Sequence, residues 1–281
     1  MVKSVNIKIL EKDEEHIKLI IEDVSNSFVN SLRRVLISEI PTIAIEEVWI
    51  VENNTVLYDK ILAHRLGLIP LKTDLESFNL PAECGCGGAG CPQCRVSFTL
   101  TKEAVNEDVM VYSGDLESAD PKVVPVSDKI PIVKLMKGQK VVLEAYGILG
   151  IGKDHAKWQA SNTSSYKYYP NVEIDYDKCT NCEDCIEICP RKVFGKKDKK
   201  VIVERNIECS LCRECIKACE DDAINLNWFE NKFIFNVETS GSMPAEELIF
   251  QALKVLNKKA EGFLNELKNV LTNGSEDKNN D

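Results

Sequence analysis

Two copies of one cysteine pattern dictate how part of this chain must fold. Cys179-x2-Cys182-x2-Cys185-x3-Cys189-Pro190 recurs thirty residues later as Cys209-x2-Cys212-x2-Cys215-x3-Cys219. Two-residue gaps let three thiolates of one loop converge on one face of an iron–sulfur cube, while the fourth cysteine points to the other cube. The pattern predicts two [4Fe–4S] clusters. Cys179, Cys182, Cys185 and Cys219 would hold the first; Cys209, Cys212, Cys215 and Cys189 would hold the second. The crossing ties the half-repeats together. A segment this small cannot stabilise itself by burial alone, so ligation must carry much of its folding energy. The competing readings are a zinc site or a relic without clusters, and the intact double repeat argues against both. Cys219 is followed by Glu220 where such repeats usually have Pro, which predicts a less rigid second loop.

The repeat covers about fifty of 281 residues, so the chain is something else carrying a cluster-binding lobe. A core and two or three domains fit in that length. The net charge of −10 argues against a surface built mainly to grip nucleic acid. No apolar run reaches the length of a membrane span, and Met1 is not followed by a basic segment and an apolar stretch. Twelve cysteines in metal-ligand spacing, with no export signal, predict a reducing cytoplasm.

Periodicity organises the rest. Val5, Ile7 and Ile9, then Ile17, Leu19 and Ile21, alternate as a hairpin around Lys12–Glu15. Phe28, Leu32, Val35, Leu36 and Ile40 repeat at helical spacing, and Pro41 stops the helix. Residues 42–158 read mostly as strands, at Ile43–Ile50, Val96–Leu100, Val109–Tyr112 and Val141–Ile148. A short helix, Asp59–Leu66, is predicted to end at a Gly67 cap. Lys196–Lys200 reads as a basic connector between the half-repeats. Phe233, Phe235 and Val237 form a strand, and Ser242-Met243-Pro244 opens a helix with Glu246 and Glu247 in its first turn. In that helix Ile249, Leu256, Phe263 and Val270 recur every seven residues, with Leu253, Ala260 and Leu267 between them. The helix is roughly 40 Å long. Its stripe suits either a core or a partner protein, and the partner is the stronger reading. The tail after Thr272 is polar and reads as disordered.

A second metal candidate lies at Cys84, Cys86, Cys91 and Cys94. Four soft ligands in eleven residues, with glycines easing the backbone round a small ion, fit tetrahedral Zn²⁺, and free thiols are the alternative. The three histidines form no ligand pair, and no dinucleotide fingerprint or phosphate loop is present.

Four segments outside the cysteine repeat carry a family resemblance. They are Phe28–Pro41 with Ala44–Val48; Asp59–Leu71, containing His64-Arg65-Leu66-Gly67-Leu68-Ile69-Pro70-Leu71; Gly150–Trp158; and Phe235–Gly241 followed by the heptad helix. In this order they resemble the α-like subunits of RNA polymerase, in particular archaeal D-type members, some of which carry a ferredoxin-like insertion here. The resemblance implies an α+β fold: a dimerisation domain from 1–40, 159–173 and 227–272, an inserted β-rich domain at 41–158, an inserted dicluster ferredoxin-like domain at 174–226, and a tail at 273–281. It implies a heterodimer with the small α-like subunit L, on which the large catalytic subunits assemble. It also implies a non-catalytic role in transcription without sequence-specific nucleic-acid binding. The expected interface is Phe28, Leu32, Val35, Leu36, Ile249, Leu253, Leu256, Phe263 and Leu267, burying about 2,000 Å² or more. The alternative is an electron-transfer subunit of an oxidoreductase, motivated by the eight-cysteine repeat.

Overall fold

The computed structural model describes residues 4–276. In chain order the elements are β1 (Asn6–Lys12), β2 (His16–Glu22), α1 (Asn26–Ser38), β3 (Pro41–Asn53), α2 (Asp59–Gly67), β4 (Val96–Glu103), β5 (Val109–Tyr112) and β6 (Glu117–Ser118). They continue with β7 (Pro131–Leu135), β8 (Lys140–Ile151), β9 (Ser161–Ile174), α3 (Asp184–Ile188), β10 (Phe194–Lys197), β11 (Lys200–Val203), α4 (Glu214–Lys217), β12 (Ile224–Thr239) and α5 (Ala245–Glu276). The chain is mixed α and β, with most elements in sheets. Among the described residues two compact units emerge, one from 4–12, 17–31 and 165–236, the other from 13–16, 32–164 and 237–276.

In the first unit β1 and β2 pair as the alternation predicts, with Ile7 opposite Ile21 and Ile9 opposite Leu19. They belong to a sheet of order β1-β2-β12-β9, in which strands from both ends of the chain flank one another. Ser25 caps α1 by accepting the Phe28 N–H at 3.2 Å. Tyr166 stacks on Phe235 and meets Phe233 edge-on. The segment read as a basic connector is instead a hairpin: β10 pairs β11, Phe194 opposite Val203 and Lys197 opposite Lys200. Asp198 and Lys199 take left-handed φ of 50° and 63° to make its turn. A tight hairpin turn needs that twist but usually fills it with Asn-Gly, so the sequence hid it.

The second unit is built on a sheet of order β3-β8-β4-β6, with β5 and β7 as a separate pair. β3 runs antiparallel to β8 from Pro41 opposite Ile151 to Asn53 opposite Val141. Its core gathers Ile45, Leu62, Leu66, Phe98, Leu135 and Leu143. Gly67 does not cap α2 in a left-handed conformation. It lies inside the helix, and the chain leaves through Leu68, whose N–H bonds back to the His64 and Arg65 carbonyls. A Cβ on Gly67 would sit 3.4 Å from the Ile45 carbonyl oxygen, near ordinary contact distance, so neither a left-handed turn nor a steric demand singles out glycine here.

α5 follows Pro244, whose carbonyl accepts the Leu248 N–H at 3.1 Å. The helix continues through 273–276, where the sequence suggested a disordered tail. Residues 277–281 of that expected tail lie outside the described residues. No helix among the described residues is long and apolar enough to cross a membrane.

Candidate metal centres and an exposed helical seam

The thirty-residue repeat in sequence is a thirty-residue repeat in backbone shape. Asn181 and Leu211, Glu183 and Arg213, Lys192 and Asp222 all have left-handed φ, in pairs at that offset. Each cysteine loop thus turns twice before its short helix, α3 or α4. Such conformations strain residues other than glycine, and a packed or ligated surrounding has to hold them.

These turns wrap two small cavities. Cys179, Cys182, Cys185 and Cys219 line the first, with Ile174, Val201 and Ile224. Cys189, Cys209, Cys212 and Cys215 line the second, with Val172, Phe194 and Leu226. The structure therefore brings together both quartets, crossed as the spacing requires. β9 and β12 share out their apolar residues between the two: Ile174 and Ile224 go to one cavity, Val172 and Leu226 to the other.

Backbone amides aim at the sulfurs. Val193 N–H donates to Cys189 Sγ at 3.4 Å, Ala223 N–H to Cys219 Sγ at 3.3 Å, and Leu211 N–H to Cys209 Sγ at 3.4 Å. The first two are the same bond in each half-repeat. Asp222 and Lys192 also donate equivalently to the carbonyls of Cys219 and Cys189, at 3.2 and 3.0 Å. The second loop thus closes as the first does, with Glu220 in place of proline.

Burial pushes the Cys185 and Cys215 thiols up to about 11, and that of Cys209 upward as well. A thiolate in such a cavity needs a cation beside it. Cys182 and Cys212, the second cysteine of each loop, are exposed.

Two supports escaped the sequence reading. Lys167 is half-buried on β9 and donates to the carbonyls of Ile207 and Cys209, at 2.6 and 2.9 Å. Burial lowers its pKa. Asn181 Oδ1 accepts the Val201 N–H at 2.9 Å and fastens β11 to the first cysteine loop. A lone lysine in a strand and an asparagine between cysteines give no spacing signal that could have found them.

The Cys84–Cys94 loop is a tighter site. Its sulfurs lie 3.4–3.9 Å apart along the four measured edges. Zn–S bonds of about 2.3 Å at tetrahedral angles set sulfur edges of about 3.8 Å. All four Sγ atoms fall within 4.8 Å of one another, and among the described residues no other candidate ligand group is so compact. The two quartets of the repeat are therefore spread wider than a single ion requires.

Gly87, Gly88 and Gly90 have φ of +65°, +82° and +86°, the turns that fold four cysteines inward. Hydrogen bonds from the Cys91 backbone and the Cys84 thiol bring Cys86 down to about 5. Burial, followed by the Cys86 and Cys84 sulfurs, drives Cys94 up to about 12. One thiolate is thus stable without metal, and its neighbours share their protons around it. Arg95, next in sequence, bonds Glu47 at 2.7 Å and stacks 3.6 Å above the Tyr146 ring, anchoring the loop to β3 and β8.

The expected partner surface divides. Leu32, Val35 and Leu36 are buried in the chain's own core, so α1 offers Phe28 alone of the four residues named for it. On α5 the chain covers Ala245, Leu248 and Ala252, while Ile249 and Leu256 are half-buried. The heptad seam beyond them is open: Leu253, Phe263 and Leu267 are 40, 69 and 43% exposed, with Phe250, Leu264, Val270 and Leu271 also exposed. A stripe this long is unusual on a lone globular surface.

Residues 18–260 match the RNA polymerase Rpb3/Rpb11 dimerisation domain. The DNA-directed RNA polymerase subunit Rpo3 of Methanosphaera stadtmanae is 46% identical, over 92% of this chain and 97% of that one. Proteins of the same description from Methanosarcina acetivorans and Archaeoglobus fulgidus are 42% and 44% identical, over 93% and 91% of this chain and 97% and 95% of theirs.

Proposed function

The chain belongs to the RNA polymerase Rpb3/Rpb11 dimerisation-domain family, and we propose that it is the scaffold subunit on which an archaeal DNA-directed RNA polymerase assembles. It heterodimerises with the small α-like subunit L, and the pair receives the large catalytic subunits. The open seam on α5 is the observation that carries this reading: apolar residues continue along the helix far past the point where the chain itself covers them. Nucleotide addition belongs to the large subunits, and no residue of this chain is assigned to catalysis. The working compartment is the cytoplasm.

Three parts divide the labour. Residues 1–40, 159–173 and 227–272 form the dimerisation domain, and 41–158 an inserted β-rich domain whose Cys84, Cys86, Cys91 and Cys94 hold Zn²⁺. Residues 174–226 form an inserted ferredoxin-like lobe. There Cys179, Cys182, Cys185 and Cys219 hold one [4Fe–4S] cluster, and Cys209, Cys212, Cys215 and Cys189 the other. The two cavities lined by those quartets support the assignment. When bound, the clusters supply strong multidentate ligation and a one-electron redox couple. The residues around them bury the sulfurs, orient amides toward them and fix the loops. The electron-transfer alternative loses its footing, because the family match and the relatives are polymerase subunits.

Co-expression with subunit L tests the reading. A stable 1:1 complex is expected. Leu253→Glu, Phe263→Glu and Leu267→Glu together should abolish it, at about 2 kcal/mol or more for each well-packed contact. The isolated variant should remain as folded as the parent by circular dichroism, because these side chains are exposed in the chain alone. A triple variant that still pairs with parental affinity refutes the interface.

A further inference from the structure

The β10–β11 hairpin is a concentration of positive charge on a chain of net charge −10. Between 191 and 205 lie Arg191, Lys192, Lys196, Lys197, Lys199, Lys200 and Arg205, against Asp198 and Glu204. Lys196 is paired with Glu183, and Arg205 is turned back to the Lys192 carbonyl. Arg191, Lys192, Lys197, Lys199 and Lys200 are exposed, and none of them has an ion pair among the described residues. The preceding helix, α3, carries Asp184 and Glu187, so the excess of charge is greatest at the hairpin's turn.

That turn holds its lysine at a cost. Lys199 sits at φ 63° and Asp198 at φ 50°, where glycine and asparagine are unstrained. Strain retained at an exposed position points toward use of the side chain. The surroundings say what kind of use. No large apolar side chain between 191 and 205 is exposed: Val193, Phe194 and Val201 are buried, and Ile202 and Val203 are half-buried. Protein interfaces have apolar or aromatic centres and few lysines. Lysines without an apolar centre suit a phosphate backbone, which they meet as mobile point charges.

We infer that this hairpin is a sequence-independent contact for duplex nucleic-acid phosphates. The availability of such a partner rests on the chain's membership in an RNA polymerase; the patch itself does not. Each neutralised phosphate contributes about −0.9 to the slope of log affinity against log salt. Four contacts from the free cations give a slope of roughly −3 to −4.

The experiment is anisotropy of a fluorescent DNA duplex of arbitrary sequence, titrated with the cluster-loaded full chain across a salt series. Lys197→Glu, Lys199→Glu and Lys200→Glu together should weaken binding more than about tenfold and flatten the slope by about 2 to 3. The same charge change made remotely, as Lys60→Glu, Lys129→Glu and Lys137→Glu, should leave most of the binding in place. Equal loss in both triple variants shows that only net charge matters, and overturns the inference. So does a parent chain that ignores the duplex, or one that prefers an acidic peptide such as polyglutamate. Pairing with subunit L is not part of the readout, so the scaffold role and the hairpin contact can fail separately.

Discussion

Both cysteine regions use one kind of ligand, yet they relate to their surroundings in opposite ways. The core around the repeat has nine buried residues, and three of them, Cys185, Cys209 and Cys215, are cysteines of the proposed quartets, with Cys189 and Cys219 packed against it. The main buried cluster of the second unit gathers twenty-one residues and no cysteine, although Cys84 and Cys94 are themselves buried. In the lobe the proposed ligands are part of the core. In the β-rich unit they close a loop on a core that is already complete. Backbone conformation follows the same division. Glycines make the left-handed turns of the 84–94 loop, where a metal of fixed size needs only a tight bend. Asn181, Glu183, Leu211 and Arg213 make them in the repeat, where side chains must also pack and bond.

The largest consequence is in metal removal. Stripping iron from the full chain should unfold 174–226, because the remaining apolar core is too small to stand alone. Limited proteolysis should then cut between the cysteine loops while leaving α5 intact. Stripping zinc from 84–94 should loosen that loop alone and leave the melting of the β-rich unit nearly unchanged. If zinc removal melted the β-rich unit as thoroughly as iron removal melts the lobe, the distinction drawn from the two cores would be wrong.

A smaller effect separates the sites by proton release. Without metal, Cys94 is held as a thiol far above neutral pH by burial, and Cys84 is also shifted upward. Cys86 is shifted down to about 5 and is already ionised at neutral pH. A metal must therefore displace protons from Cys84 and Cys94 but not from Cys86. A protonated free state competes with metal, so zinc affinity should rise with pH across the neutral range and fall as the solution is acidified. Calorimetry in buffers of different ionisation enthalpy counts those protons. Zinc binding without proton release at pH 7 contradicts the assignment of these thiols.

The gathering of each cysteine quartet around one cavity was legible because ligand spacing is strict: four thiolates converge only from certain offsets, and a one-residue slip removes one. Hairpin β1–β2 and the span of α1 were legible from periodicity. The owner of an apolar stripe was not. Leu32, Val35 and Leu36 have the same helical spacing as a partner-facing ridge, but they fill this chain's own core. On α5 the exposed stripe and the face the chain covers itself run side by side, through Leu253 and Ala252, and hydropathy cannot rank them. β10–β11 escaped because its turn is Asp-Lys: Asp tolerates left-handed φ, but Lys stands where the usual hairpin signal has Gly. The backbone strain that marks it is visible only in three dimensions.

Gly90 gives the finest test of the comparison. It has φ +86°, and a Cβ there would lie 3.1 Å from Arg95 Cδ and 3.2 Å from Nη1. Gly90→Ala therefore adds about 1–2 kcal/mol of backbone strain. It also pushes on the guanidinium that stacks over Tyr146. If the loop only closes on a finished core, that strain falls on the metal: zinc affinity should drop about tenfold, with little change in the melting of the β-rich unit. Strain at Leu211, whose N–H bonds Cys209 Sγ at 3.4 Å, lies beside a core that includes three of the proposed ligands. Leu211→Gly relieves its φ of 58° but removes a side chain packed against that core. The lobe should lose about 1–3 kcal/mol, since the lost packing exceeds the strain relieved. Opposite outcomes, a melted unit for Gly90→Ala and an unchanged lobe for Leu211→Gly, would reverse which of the two regions depends on its metal to fold.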